Sequence, residues 1–219
     1  MSNRELVVKG IGSVSAVPNL IVLNMSLEVC EPDYEKTMQR GVEMLDALRA
    51  AIMSAGHEGK DLKTTAFNIN TKYESYKDMD AWKQRFVGYT CSHGLRLEFD
   101  IDMEKLGATL GAIADCEANP NFNIHFGIKD PNAVSEQLLA SAVENAKWKA
   151  AVLAKAAGVT LGAIQRINYN WSELQLYSNT EIDMGNGVLQ CDENAPMAID
   201  IVPDDINVND TATVVWAID

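Results

Sequence analysis

Several common signatures are missing from this chain. It has only four cysteines in 219 residues, and no two of them form a Cys-x-x-Cys pair. Cys30, Cys91, Cys116 and Cys191 therefore read as separate reduced thiols, with no disulfide framework and no metal-ligand spacing. Positive charge is also scarce: 18 Lys and Arg stand against 31 Asp and Glu, a net charge of −13. Binding to a phosphate backbone depends on basic residues that displace counterions, so nucleic acid is not an expected partner. No run of 18 apolar residues occurs, so no transmembrane helix is expected. Met1-Ser2-Asn3-Arg4-Glu5 runs straight into Leu6-Val7-Val8, without the apolar core and small-residue cleavage site of an export signal. On that reading the chain is expected in the cytoplasm.

The motifs of common enzymes are absent as well. Gly10-x-Gly12 lacks the third glycine of a dinucleotide fingerprint, because position 15 is Ser15, and Pro18 follows where a helix should start. There is no GxSxG, HExxH or P-loop. Asp204-Asp205-x-Asn207-x-Asn209-Asp210 is rich in oxygen ligands but lacks the mid-loop glycine and closing glutamate of a calcium loop. The three histidines are scattered: His57 in a helix-exit loop and expected in solvent, His93 on one strand face with Cys91, and His125 on another strand. Cys91 and His93 are close enough for a nucleophile pair, but no orienting carboxylate can be named. No cofactor, metal or catalytic set is expected, and a non-enzymatic protein is favoured.

What is present is patterned alternation. With 47% apolar and 22% charged residues, composition is that of a globular protein. Ile21, Leu23, Met25, Leu27 and Val29 alternate with mostly polar residues, as in a half-buried strand. Val87, Tyr89, Cys91, His93, Leu95, Leu97 and Phe99 do the same, facing a preceding strand at 64–76 across a hairpin tip at 77–80. Strands are also expected at 5–15, 122–128 and 160–167, with two more closing the chain, the last carrying Asp210 as the one polar interruption of its apolar face. Asp33, Asp102 and Asp130-Pro131 can each cap a helix. The first, about 34–55, ends at Gly56, and the longest, about 132–157, ends at Gly158. Its seam is Val134, Leu138, Ala142, Ala146, Ala150, Leu153 and Ala157.

The expected fold is α+β, with mixed or antiparallel sheets packed with three helices. Two similar sub-lobes, roughly 20–99 and 100–219, would form one compact unit spanning 1–219. Residues 169–194 read as a long loop, mobile or functional, with Tyr169, Trp171 and Tyr177 as a candidate ligand or partner patch. The 53 residues after Arg166 hold ten acids and no Lys, Arg or His, so a strongly negative face is expected there, open to a basic protein partner.

These signals resemble the SIMPL-domain family along nearly the whole chain. Gly10-Ile11-Gly12-Ser13-Val14 with Pro18 is similar to its N-terminal signature, and Asp61-Leu62-Lys63-Thr64 to its segment after the first helix. Val87-Gly88-Tyr89 matches its Gly-Tyr pair, and Ala156-Ala157-Gly158-Val159-Thr160-Leu161-Gly162 its helix-to-strand junction. The resemblance implies an α+β fold, ring- or channel-like homo-oligomers in some members, frequent export, and links to stress tolerance or the cell envelope. It carries no catalytic residues. Gly10, Gly12, Pro18, Asp61, Thr64, Gly88, Tyr89, Gly158 and Gly162 read as structural. Asn19 stands where an aspartate is common, and no export signal is seen. The leading expectation is a self-associating, non-enzymatic protein. The alternative is a small-molecule binding module with the 169–194 loop as its lid.

Overall fold

The computed structural model describes residues 4–78, 81–169, 176–184 and 201–219. The elements run β1 (Glu5–Ala16), β2 (Leu20–Glu31), α1 (Tyr34–Ser54), β3 (Lys63–Asp78), β4 (Ala81–Asp100), α2 (Met103–Ala114), β5 (Asn121–Gly127), α3 (Pro131–Ala157), β6 (Leu161–Tyr169), β7 (Tyr177–Met184) and β8 (Ile206–Ile218). Among the described residues, three helices accompany two antiparallel sheets, ordered β1-β8-β6 and β3-β4-β2-β5-β7. This is the α+β class expected from the sequence.

The three aspartates cap as expected. Asp33 Oδ1 accepts from the Glu35 and Lys36 amides, Asp102 Oδ1 from Lys105, and Asp130 Oδ1 from Asn132 and Ala133. Gly158 closes α3 in the left-handed region at φ 68°, a conformation that a Cβ penalises.

Among the described residues the structure differs from the expectation at three places. Residues 177–184, read as part of the 169–194 loop, form β7. Their sequence is polar and shows little alternation, so the strand is carried by sheet pairing. The hairpin strands extend to Asp78 and from Ala81, further than the expected 64–76 and 84–99. Of the two strands expected to close the chain, the last is β8, and the one expected between 194 and 206 falls mostly outside the described residues. In α3 the buried stripe is Val134, Leu138, Ala142, Ala146, Ala150 and Ala154, with Leu153 exposed. A repeated step of four drifts by about 40° per step, so the buried stripe winds around the helix and reaches Ala154 rather than Leu153.

The backbone groups into two compact units, each drawn from separate stretches of sequence. One comprises the described residues of Met1–Asn19, Gly127–Asn179 and Pro203–Asp219. In it, Val8, Val214 and Trp216 pack with Ala146 and Ala150 of α3. The helix comes so close that a Cβ on Gly10 would run into the Ala142 carbonyl and lie 2.7 Å from the Ala146 amide nitrogen. A Cβ on Gly12 would meet the Leu138 carbonyl in the same way. α3 also covers the free edge of β1. The Ile11 amide donates to Asn145 Oδ1 (3.0 Å), the Ser13 amide to Ser141 Oγ (3.4 Å), and Lys149 Nζ to the Lys9 carbonyl (3.1 Å).

The other unit comprises the described residues of Leu20–Phe126 and Thr180–Val202. Here Ile21, Leu23, Met25 and Leu27 of β2 and Leu95 and Leu97 of β4 pack with Leu48, Ile52, Leu106 and Leu110 of the helices. The period-two and helical stripes of the sequence thus meet in one core.

Candidate functional site

Among the described residues, the second unit holds the larger concentration of exposed aromatic rings. Pairing of β2 with β4 ends at Glu31 opposite Tyr89, but β3 and β4 continue together to Asp78 opposite Ala81. The hairpin therefore runs on beyond β2 as a two-stranded ribbon. A bulge between Lys72 and Tyr73 brings Tyr73 opposite Phe86. The rings of Tyr73, Phe86, Tyr89 and Tyr34 follow one another edge to face, with centroids 5.7, 5.3 and 5.6 Å apart. Trp82 is 74% exposed and Tyr73 55%. Phe67 and Phe86 are also exposed.

Gly88 and Tyr89 of the family signature sit at the root of this ribbon. A Cβ on Gly88 would strike the Glu31 carbonyl, so its lack of a side chain lets the β2 end pass. Tyr89 joins Phe86 to Tyr34 of α1.

Further down the same face is a groove of about 220 Å³ lined by Met38, Gly41, Val42, Leu45, Phe67 and His93. The buried His93 is held from two sides. Its Nε2 hydrogen-bonds the Thr64 hydroxyl at 2.9 Å, and its ring meets Phe67 edge on at 5.3 Å. Burial first, and then the Arg49 charge, push its pKa below the usual imidazole value. Burial pushes the Cys91 thiol up. Cys91 and His93 share a strand face, but a thiol kept protonated and an imidazole engaged by Thr64 are not an activated pair.

The other histidines are placed by local bonding. His57, expected in solvent, is buried, because the turn after α1 folds it against Phe99 and α2. Its Nε2 lies 2.8 Å from Thr109 Oγ1, whose hydrogen is already donated to the Lys105 carbonyl, so Nε2 must carry the proton. Burial and Lys105 depress its pKa, with Asp61 opposing. His125 Nε2 stands 3.6 Å from Glu181.

Tyr169 and Tyr177 lie at strand ends, at the close of β6 and the start of β7, and Trp171 lies outside the described residues. The Tyr169 phenol bonds the side chains of Asp210 and Ser135, and its pKa is raised by desolvation first and by Asp210 next. Asp210, the polar interruption of β8, stands opposite Gly12 in register.

Other signature positions also have local partners. Asp61 Oδ2 accepts from the Glu58 amide at 3.0 Å, and the Asp61 amide returns a bond to the Glu58 carbonyl. A Cβ on Gly162 would lie 3.0 Å from the Ala217 carbonyl oxygen. Pro18 is buried just before Asn19, whose Oδ1 accepts from the Lys129 amide at 2.8 Å. An amide oxygen can thus do the acceptor work open to the aspartate common at this position.

Two antiparallel sheets, three aspartate-capped helices and glycines seated against α3 define an α+β protein built on this set of signatures. The chain belongs to the SIMPL family, described as protein of unknown function (DUF541), whose model matches residues 6–216. It is 29% identical over 165 residues to the 26 kDa periplasmic immunogenic protein of Brucella melitensis, and 28% identical over 165 residues to that of Brucella abortus. Each match covers 75% of this chain and 66% of the relative, so the chain spans just under two thirds of their length. It is 24% identical over 175 residues to the uncharacterized protein YggE of Edwardsiella ictaluri, covering 78% of this chain and 70% of that protein. The cytoplasmic location expected from the first residues is corrected here: the two Brucella relatives are named as periplasmic proteins, which points to export. Among the described residues no helix is long and apolar enough to cross a membrane.

Proposed function

We propose that this protein acts after export, in the cell envelope, as a non-enzymatic protein that associates with copies of itself through the aromatic ribbon of β3 and β4. The observation that carries this reading is the run of exposed rings from Phe67 through Tyr73 and Phe86 to Trp82. Water-exposed aromatic surface gathered on one element is costly to leave open, and aromatic residues are enriched in protein interfaces. The periplasmic names of the Brucella relatives support the location.

Sedimentation and light scattering across micromolar concentrations test the association. An assembly is expected for the natural chain, and dissociation for a Trp82→Ser, Phe86→Ser double variant. A strict monomer at all concentrations overturns the association.

A further inference from the structure

A second cleft lies on the other face of the five-stranded sheet. Leu95 and Leu97 point into the core, so Arg96 and Glu98, which alternate with them, face the opposite way. Together with Lys63 and Asp61 they line a cleft of about 360 Å³. That volume falls in the range of small-molecule sites, whereas the groove at His93 is below it.

Among the described residues the charges lining this cleft are two of each sign, and Lys63 and Asp61 form no ion pair with each other. Arg96 Nη2 and Glu98 Oε1 are paired at 2.5 Å. Lys63 stands directly opposite Arg96 in the β3–β4 register, a placement of like charges that costs stability. Among the described residues the Lys63 ammonium has no carboxylate within ion-pair distance. Asp61 Oδ2 takes the Glu58 amide, which leaves Oδ1 for another donor. A cation and a carboxylate oxygen therefore remain for a ligand, backed by Arg96 and Glu98 respectively.

The geometry points to a site for a zwitterion, an α-amino acid or a very short peptide. Its carboxylate lies between Lys63 and Arg96 and relieves their repulsion, and its ammonium bonds Asp61 and Glu98. An anion alone would leave the two carboxylates facing it, and a cation alone would meet Lys63 and Arg96. The zwitterion matches both pairs, which is specificity by charge placement.

Titration of the full chain with glycine, acetate and methylamine, followed by NMR shifts of the β3 and β4 amides, tests this site. Glycine is expected to give saturable shifts, with acetate and methylamine about tenfold weaker or worse. Lys63→Met and Asp61→Asn are each expected to weaken glycine about tenfold. Arg40→Gln, on the helix side of the sheet, should leave binding unchanged. Thermal melting of each variant confirms that it is folded. Equal response to acetate or methylamine, no saturable response to glycine, or glycine binding unaltered in both cleft variants overturns the proposal.

Discussion

At Gly10 and Gly12 a single methyl group decides whether α3 can dock. The Ala142 and Leu138 carbonyls occupy the space that a Cβ would need, and both are backbone atoms that cannot rotate away. Gly10→Ala is expected to destabilise the fold by about 1–3 kcal/mol or more, read by urea denaturation. Gly111→Ala, with nothing within 4 Å of its added Cβ, serves as the neutral comparison and should be tolerated. The histidines give a second prediction at this scale. His57 and His93 both have folded pKa values below 6.5. The unfolded chain therefore takes up their protons first, and stability falls as pH drops through 6.5 toward the folded values. Melting temperature should decline from pH 7 to pH 5, and His93→Gln should reduce that decline.

Among the elements, the capped helices and alternating strands were legible because their signals are local. Asp33, Asp102 and Asp130 each act on amides two or three residues on, and a reader of sequence sees both ends of such a bond. The partner of His93 was not visible in this way, since Thr64 lies 29 residues earlier and meets it only through strand pairing. β7 escaped for the converse reason, as its polar sequence shows little alternation of its own. The aromatic ribbon was read as two strands and a tip, but not as a surface, because exposure depends on where β2 stops. A two-stranded ribbon has little core of its own. Trp82→Ser with Phe86→Ser should therefore leave the melting temperature of the dilute protein nearly unchanged while abolishing concentration-dependent assembly. A large fall in melting temperature at low concentration would mean that the rings serve the fold.

For the whole molecule, the charge distribution makes a prediction independent of any site. Ten of the 31 acidic residues lie in the last 53 positions, with no base among them. Asp204 and Asp205 are exposed members of that stretch. A basic polypeptide such as polylysine should bind the chain at low salt, and the binding should fade as ionic strength rises. Asp204→Asn with Asp205→Asn should weaken it, and equal affinity at all salt concentrations would contradict the electrostatic reading. DNA at physiological salt should remain unbound, checked by gel shift.

The pairing of β1 with β8 also governs the order of events when the chain is made. Glu5 meets Ala217 and Ala16 meets Ile206, so β1, once made, waits for the much later β8 before the two can pair. The stretch from β2 to β5, in contrast, contains most of one core within a continuous piece of sequence. Folding with such long sequence separations is slow, because loop closure precedes the contacts that reward it. If the chain is exported as proposed, that delay keeps β1 unpaired, and so open to passage, until β8 has been made.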